Sequence, residues 1–125
     1  MGPEAKFYKK LVKEWSDFSF TRIENISLLG TPDLLVCNNN GHFFTIELKV
    51  TKGKKVRFSP HQLAFHIKHP KNTFIMIEAL GPRSTNRFQM YRGSQILELE
   101  TLGLELEAWS FGLEACRLKL SKLGA

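Results

Sequence analysis

The chain has 125 residues, of which 42% are hydrophobic and 24% are charged, and this composition excludes a disordered segment and favours one domain over two. No run approaches the ~18 uncharged apolar residues of a membrane span, and residues 1–10 lack the apolar core of a signal peptide. We therefore expect a cytoplasmic protein. Its two cysteines, Cys37 and Cys116, are expected to be buried free thiols of a reducing compartment.

The net charge of +6 is confined to the first part of the chain. Residues 1–72 carry twelve basic and six acidic side chains, whereas residues 73–125 carry six of each. Residues 49–71 contain seven basic side chains and no acidic one. Such a stretch predicts a polyanionic partner such as nucleic acid. The alternative is a solvated cationic face that only aids solubility.

The first third of the chain predicts a helix followed by two strands. Apolar residues recur at steps of three and four over residues 4–18, which is typical of an amphipathic helix. A short strand is predicted over residues 20–26. A Gly-Thr-Pro break at residues 30–32 precedes an apolar strand at residues 34–37, and the Asn-Asn-Asn-Gly run at residues 38–41 predicts a hairpin turn.

The middle of the chain predicts a third strand, a basic segment and a second helix. The strand predicted over residues 42–50 alternates between apolar and polar side chains from Phe44 on, so Glu47 and Lys49 share one strand face. The basic segment at residues 51–58 is interpreted as an exposed loop or a strand extension. Ser59 and Pro60 are typical of an N-cap and a first helical position, so a helix begins there.

The last third predicts two strands and two helices. Residues 74–80 are apolar enough for a central strand, and residues 88–91 for a shorter neighbour. A helix is predicted over residues 94–102, and a C-terminal helix fits the remaining pattern loosely. Trp109 and Phe111 are interpreted as core residues, with a dimer contact as the alternative. This order of elements suggests one α/β or α+β domain whose central mixed sheet is flanked by helices.

Three residues point to chemistry. Asp33 directly precedes an apolar strand, and hairpin pairing would bring it close to Glu47 on the next strand. Two carboxylates so placed repel each other unless a divalent cation lies between them, and Mg²⁺ and Mn²⁺ prefer such oxygen ligands. A metal held there can polarise a phosphoryl oxygen, while Lys49 orients the attacking water or stabilises the developing charge. Together with the basic segment, this predicts hydrolysis of a phosphodiester bond.

The same residues resemble a known signature. Pro32-Asp33 followed by Glu47-Leu48-Lys49 is similar to the motif of the PD-(D/E)xK nuclease superfamily. Over about residues 4–80 the chain resembles VRR-NUC domains and archaeal-type Holliday junction resolvases, most of all small stand-alone VRR-NUC proteins of bacteriophages. The further matching residues are Glu4, Arg22, Gly30-Thr31-Pro32-Asp33 and Ser59-Pro60-His61-Gln62.

The resemblance implies a restriction-endonuclease-like α/β core and an endonuclease that cuts branched DNA, commonly as a homodimer. It implies Mg²⁺ as the cofactor, with Mn²⁺ able to substitute. We accordingly expect residues 1–125 to form a single nuclease domain, in which residues 81–125 complete the sheet and add C-terminal helices. A phage-encoded protein would act in the host cytoplasm.

The resemblance also assigns a metal site. Asp33 and Glu47 would bind the metal together with the backbone carbonyl of Leu48. Glu4, at the start of the first helix, would be the acid that completes the site, and its carboxylate is counted among the catalytic groups. Glu24 is a competitor for that role, because it lies on the predicted first strand.

Two further residues are assigned to catalysis and seven to DNA. Lys49 would be the catalytic lysine, and Gln62 would face the site from the second helix. The basic side chains of the segment after Lys49 would hold the phosphate backbone without reading bases. The predicted DNA-binding residues are Arg22, Lys52, Lys54, Lys55, Arg57, Ser59 and His61.

The leading hypothesis is a metal-dependent, structure-selective DNA endonuclease, most specifically a Holliday junction resolvase. A junction is cut symmetrically on two strands, so a two-fold homodimer on branched DNA is expected. One alternative keeps the site and changes the substrate to that of a nicking, flap or restriction-type nuclease. The other is a catalytically inactive DNA-binding module of the same fold.

Overall fold

A computed structural model of the chain describes residues 2–23 and 30–125, which form four α-helices and six β-strands. The helices are α1 (Pro3–Glu14), α2 (Pro60–Lys68), α3 (Ile96–Leu102) and α4 (Leu113–Ser121). The strands are β1 (Ser19–Arg22), β2 (Leu34–Cys37), β3 (Phe43–Thr51), β4 (Thr73–Ala79), β5 (Arg87–Arg92) and β6 (Ser110–Phe111). None of these helices has the length and apolar character that crossing a bilayer requires.

The six strands form one mixed sheet in chain order, from β1 at one edge to β6 at the other. The central strands β3 and β4 are parallel, because α2 carries the chain back across the sheet between them. Every other neighbouring pair is antiparallel. This confirms the predicted α/β class with a central mixed sheet flanked by helices.

Each face of the sheet is covered by its own apolar cluster. Alternate residues of β2 and β3, such as Leu34 and Ile46, pack with Phe7 and Trp15 on the side of α1, and Leu120 of α4 joins them. The opposite face packs β4 and β5 residues against α3, with Leu63 of α2 at the margin. Because side chains alternate along a strand, Glu47 and Lys49 of β3 lie on the face that α2 covers.

Several predicted elements are confirmed with shifted ends. Helix α1 stops at Glu14 rather than at Phe18, because the backbone of Trp15 leaves the helical region at φ −110° and ψ 50°. The first strand is found over Ser19–Arg22, and the remainder of its predicted range, from residue 24 on, lies outside the described residues. The third helix starts at Ile96, after a short 3₁₀ turn. The two-residue strand β6 has no counterpart in the sequence-based prediction.

The hairpin turn after β2 is confirmed, and it is also hydrogen-bonded to the C-terminal end of α4. Asn38 is buried, and its Oδ1 accepts hydrogen bonds from the backbone N–H groups of Asn40 and His42. Its Nδ2 donates to the carbonyl oxygens of Leu120 and Leu123, both at 2.9 Å. One amide thus closes the turn and binds two carbonyl oxygens at and just beyond the C-terminal end of α4.

Three predicted burial states are wrong. Cys116 is a buried free thiol as expected, but Cys37 is only half-buried, since it lies on a strand face that the helices leave partly open. Trp109 does pack against the core, whereas Phe111 is 57% exposed at the sheet edge. In the basic segment, Val56 and Phe58 are buried although the whole segment was expected to be exposed.

Candidate active site

The predicted acidic pair is formed where β2 meets β3. Leu34 is paired with Ile46 in the antiparallel register, so Asp33, one residue earlier, lies opposite Glu47. The Oδ2 atom of Asp33 accepts a hydrogen bond from the backbone N–H of Leu48 at 2.8 Å. This bond fixes the first carboxylate against the strand that carries the second.

Glu47 is the most perturbed acid at this place. Its side chain is buried, with 3% of the residue exposed, and its Oε2 accepts a hydrogen bond from Gln62 Nε2 at 3.2 Å. Burial raises the pKa of Glu47 to about 9, and the charge of Asp33 and a hydrogen bond between the two carboxyl groups contribute to the rise. Lys49 acts in the opposite direction on this pKa, and Glu4 adds a smaller upward contribution.

The surroundings of the second Glu47 oxygen, Oε1, indicate whether the acidic pair suits a metal ion. Oε1 is buried and has no hydrogen-bond donor within the described parts of the chain. Two carboxylates that lie opposite each other on paired strands repel while both are charged. The pair therefore needs a proton or a cation between its oxygens, and hard carboxylate ligands fit Mg²⁺ or Mn²⁺. The residues present fit the predicted divalent metal.

Lys49 is held from two sides. Its ammonium donates a hydrogen bond to Gln62 Oε1 at 3.0 Å and lies 5.1 Å from the centre of the Phe58 ring. Phe58 is itself packed in the cluster under α2 and α3, so the ring is a fixed partner. Sequence reasoning missed Phe58, and the alternation of buried and exposed residues through Val56 and Phe58 is the signal that could have identified it.

The helix that carries Gln62 starts as predicted, with Ser59 as its N-cap. Ser59 Oγ accepts from Gln62 N at 3.1 Å, and the backbone N–H of Ser59 donates to Gln62 Oε1 at 3.0 Å. This reciprocal pair is a capping box. Gly30, which lies shortly before Asp33, packs directly against the same end of the helix. A Cβ on Gly30 would lie only 2.4 Å from the carbonyl carbon of His61.

Glu4 lies near the acidic pair but does not form one group with it. Within residues 2–23 and 30–125, no three His, Cys, Asp or Glu side chains come together closely enough to hold a metal ion. Glu4 is exposed and lines a cleft of about 290 Å³ with Lys49, Lys55 and Arg57. The competing acid Glu24 lies outside the described residues.

The basic segment is an anchored ridge next to this cleft. Val56 and Phe58 are buried beneath it, while Lys52, Lys54, Lys55 and Arg57 are exposed. The Lys54 carbonyl accepts a hydrogen bond from Leu104 N at 2.8 Å, and Gly103 makes this approach possible, since its Cβ would lie 2.2 Å from that oxygen. A second groove of about 680 Å³ separates the ridge from the end of α3.

The remaining predicted DNA contacts lie around the same region. Arg22 is exposed at the end of β1, with its guanidinium 5.4 Å from the centre of the Tyr8 ring. Ser59 and His61 are exposed at the start of α2. The site therefore combines an acidic pair in which Glu47 is buried and Asp33 half-buried, a positioned lysine and a cationic ridge within one side of the sheet.

Comparison with known proteins shows which known fold this chain is similar to. No protein-family model matches the chain, and no curated protein matches it. Among solved structures, the chain is similar to Hjc, a Holliday junction resolvase from the archaeal hyperthermophile Archaeoglobus fulgidus, determined at 1.6 Å resolution. The two share 19% identity over 73% of this chain and 78% of that chain, with a TM-score of 0.51. The α/β fold of this chain is thus similar to that of a nuclease.

Proposed function

We propose that this protein is a Mg²⁺-dependent endonuclease that hydrolyses phosphodiester bonds in branched DNA, as a Holliday junction resolvase does. The observation that carries the proposal is the Asp33–Glu47 pair, whose buried Oε1 has no donor among the described residues and which lies beside Lys49. Similarity of fold to an archaeal resolvase supports the same reaction class. The fold alone would not define an activity, because one fold carries many functions.

In the proposed site, Asp33 and Glu47 would hold the cation with the backbone carbonyl of Leu48, and Glu4 of α1 would be the further acid. A bound divalent cation supplies polarisation of a phosphoryl oxygen and a more acidic water molecule. The Asp33 carboxylate keeps its orientation through the Leu48 N–H, so it is already aimed before the cation arrives. Mn²⁺ has the same preference for oxygen ligands and should substitute.

Lys49 and Gln62 act on the substrate side. The Lys49 ammonium stabilises the negative charge that develops on the scissile phosphate, and it is pre-positioned by Gln62 Oε1 and the Phe58 ring. Gln62 also donates to Glu47, so it holds the Glu47 and Lys49 side chains in a fixed relative position. The four cations of the ridge bind the phosphate backbone next to the cleft, which favours recognition of DNA shape over base sequence.

Symmetrical cutting of a four-way junction requires two such sites, whereas one chain offers one. We therefore propose a two-fold homodimer on the DNA. The order of the motifs that carry Asp33, Glu47, Lys49 and Gln62 supports kinship with VRR-NUC proteins such as those of bacteriophages. Such a protein would work in the cytoplasm, where its DNA substrate is found.

The test is cleavage of a synthetic four-way junction with Mg²⁺, beside linear duplex, flap and Y-shaped DNA. Asp33→Asn should lose activity by at least 100-fold, because it removes one charge from the site and leaves the shape of the side chain. Asp17→Asn is the matched control, since Asp17 pairs with Arg117 on the surface and makes the same change of charge. Equal cleavage by both variants would overturn the catalytic assignment.

Two other outcomes have defined meanings. Preferred cleavage of a flap or of linear duplex would identify a nicking, flap or restriction-type nuclease with the same site. Tight junction binding without any cleavage in Mg²⁺ or Mn²⁺ would identify a DNA-binding module instead. In either case the proposed resolvase activity would be wrong.

A further inference from the structure

The Gln62 amide has three partners, and each of its two ends has a defined role. Its Oε1 accepts from Lys49 Nζ and from the backbone N–H of Ser59, both at 3.0 Å. Its Nε2 donates to Glu47 Oε2 at 3.2 Å. One side chain therefore joins the start of α2 to both charged residues of the candidate site.

The capping box determines which way round this amide lies. An ammonium and a backbone N–H are both pure donors, so they require the oxygen end of the amide. The nitrogen end is then left facing the buried Glu47 carboxyl, which accepts. In the flipped orientation the amide NH₂ would face two donors, so the hydrogen bonds from Lys49 and from the backbone of Ser59 would both be lost.

Ser59 holds the amide through two separate bonds. Its Oγ accepts from Gln62 N at 3.1 Å, which fixes the backbone from which the side chain starts. Its own N–H binds the far end of that side chain. Phe58, the preceding residue, places its ring 5.1 Å from Lys49 Nζ. A single short segment thus controls both Gln62 and the lysine.

We propose that the capping box of α2 positions the side chains of the candidate active site. Ser59 is then a positioning residue that holds Gln62 against Lys49 and Glu47. The proposal rests on the proposed nuclease function. It assigns Ser59 a role in the rate of the bond-breaking step, which differs from the phosphate contact that its place near the ridge suggests.

Three substitutions at Ser59 separate these roles. Ser59→Ala removes the cap acceptor, whereas Ser59→Thr and Ser59→Asp keep one, because Thr and Asp are both good N-caps. Ser59→Asp also adds a negative charge that would repel a phosphate. The measurements are the single-turnover cleavage rate at saturating protein with Mg²⁺, junction affinity without metal, and the NMR order parameter of the Gln62 side-chain amide in the metal-free protein. Circular dichroism identifies the temperature range in which each variant is folded.

We expect Ser59→Ala to cleave about 10-fold more slowly with junction affinity within twofold, because small misplacements of reacting groups slow the chemical step. Its Gln62 amide should lose order, and Ser59→Thr and Ser59→Asp should restore both the order and the rate. A wild-type rate and an ordered amide in Ser59→Ala would overturn the proposal. So would a loss of affinity alone, or an Asp variant as slow as the Ala variant.

Failure of the proposed function looks different from failure of this inference. If the protein is not a nuclease, the wild type cleaves nothing and only the NMR comparison remains, which then tests the capping role alone. If the protein is a nuclease and the inference is wrong, the wild type and Ser59→Ala cleave equally fast.

Discussion

Replacing Gly30 with alanine should displace the start of α2 from the acidic pair. Gly30 has φ +84°, a region that L side chains rarely adopt, and its Cα faces the backbone of His61. A Cβ added there would lie 2.4 Å from both the carbonyl carbon and the carbonyl oxygen of His61. Carbon atoms prefer about 3.5 Å or more, so the two segments must separate by roughly 1 Å.

The expected magnitude has two parts. The unfavourable φ costs about 1–2 kcal/mol, and the clash adds about 1–3 kcal/mol, as for other overpacked positions. Gly41→Ala is the matched control, because Gly41 has φ +72° and nothing within 4 Å of its Cβ position. It should show the first part alone. Urea denaturation of both variants measures the difference.

The displacement should also reach the reaction, because His61 is bonded to Gln62 along the chain and Gln62 contacts both Lys49 and Glu47. A shift of roughly 1 Å is enough to slow a positioned reaction by up to about 100-fold. Cleavage at saturating DNA should therefore fall in Gly30→Ala and stay near the wild-type rate in Gly41→Ala. If Gly30→Ala is no less stable and no less active than Gly41→Ala, the packing argument for this turn is refuted.

Three further predictions concern Asn38, the buried His66 and the ridge. Asn38→Asp keeps the acceptor of the hairpin turn but loses both hydrogen bonds that Asn38 donates at the end of α4. It should therefore lower the free energy of unfolding, measured by urea denaturation, by about 2–4 kcal/mol. A change under about 0.5 kcal/mol would contradict a stabilising role for these two bonds. Burial lowers the pKa of His66 below 6.5, so the unfolded chain binds this proton first and the contribution of His66 to the free energy of unfolding should fall as the pH drops from 7 to 5. His66→Phe should flatten that dependence, by up to about 1.4 kcal/mol per pH unit, and an unchanged slope would refute the assignment. Lys55→Gln and Arg57→Gln should each reduce the slope of log Kd against log salt concentration for junction binding by about 0.9. The control Lys122→Gln, at an exposed lysine far along the chain, should leave the slope unchanged. Equal slopes in all three variants would rule out the ridge as a phosphate contact.

The acidic pair could be predicted from the sequence because it depends on two local rules. Alternation from Phe44 to Val50 placed Glu47 and Lys49 on one face, and the Asn-Gly turn implied a hairpin that brings Asp33 opposite Glu47. Both rules act over fewer than twenty residues. The same holds for Ser59 and Pro60 at the start of α2, whose capping preference is a property of the first turn alone.

The features that escaped prediction depend on contacts between distant segments. The burial of Val56 and Phe58 is set by α3, whose residues Ile96 and Leu99 form the same cluster. The close approach of Gly103 to Lys54 is likewise invisible in a pattern of either segment. Strand β6 is two residues long and is defined by its pairing with β5, so it has no periodicity of its own.

The most direct test of the central claim is a calorimetric titration of the protein with Mn²⁺ at pH 7, in two buffers of different ionisation enthalpy. The pKa of Glu47 is raised to about 9, so the pair holds a proton at pH 7, and a metal that binds the carboxylate must displace it. The account predicts binding of Mn²⁺ with release of close to one proton, and loss of both in Glu47→Gln. Equal binding by Glu47→Gln would contradict a metal site at Asp33 and Glu47, and binding without proton release would contradict the raised pKa of Glu47.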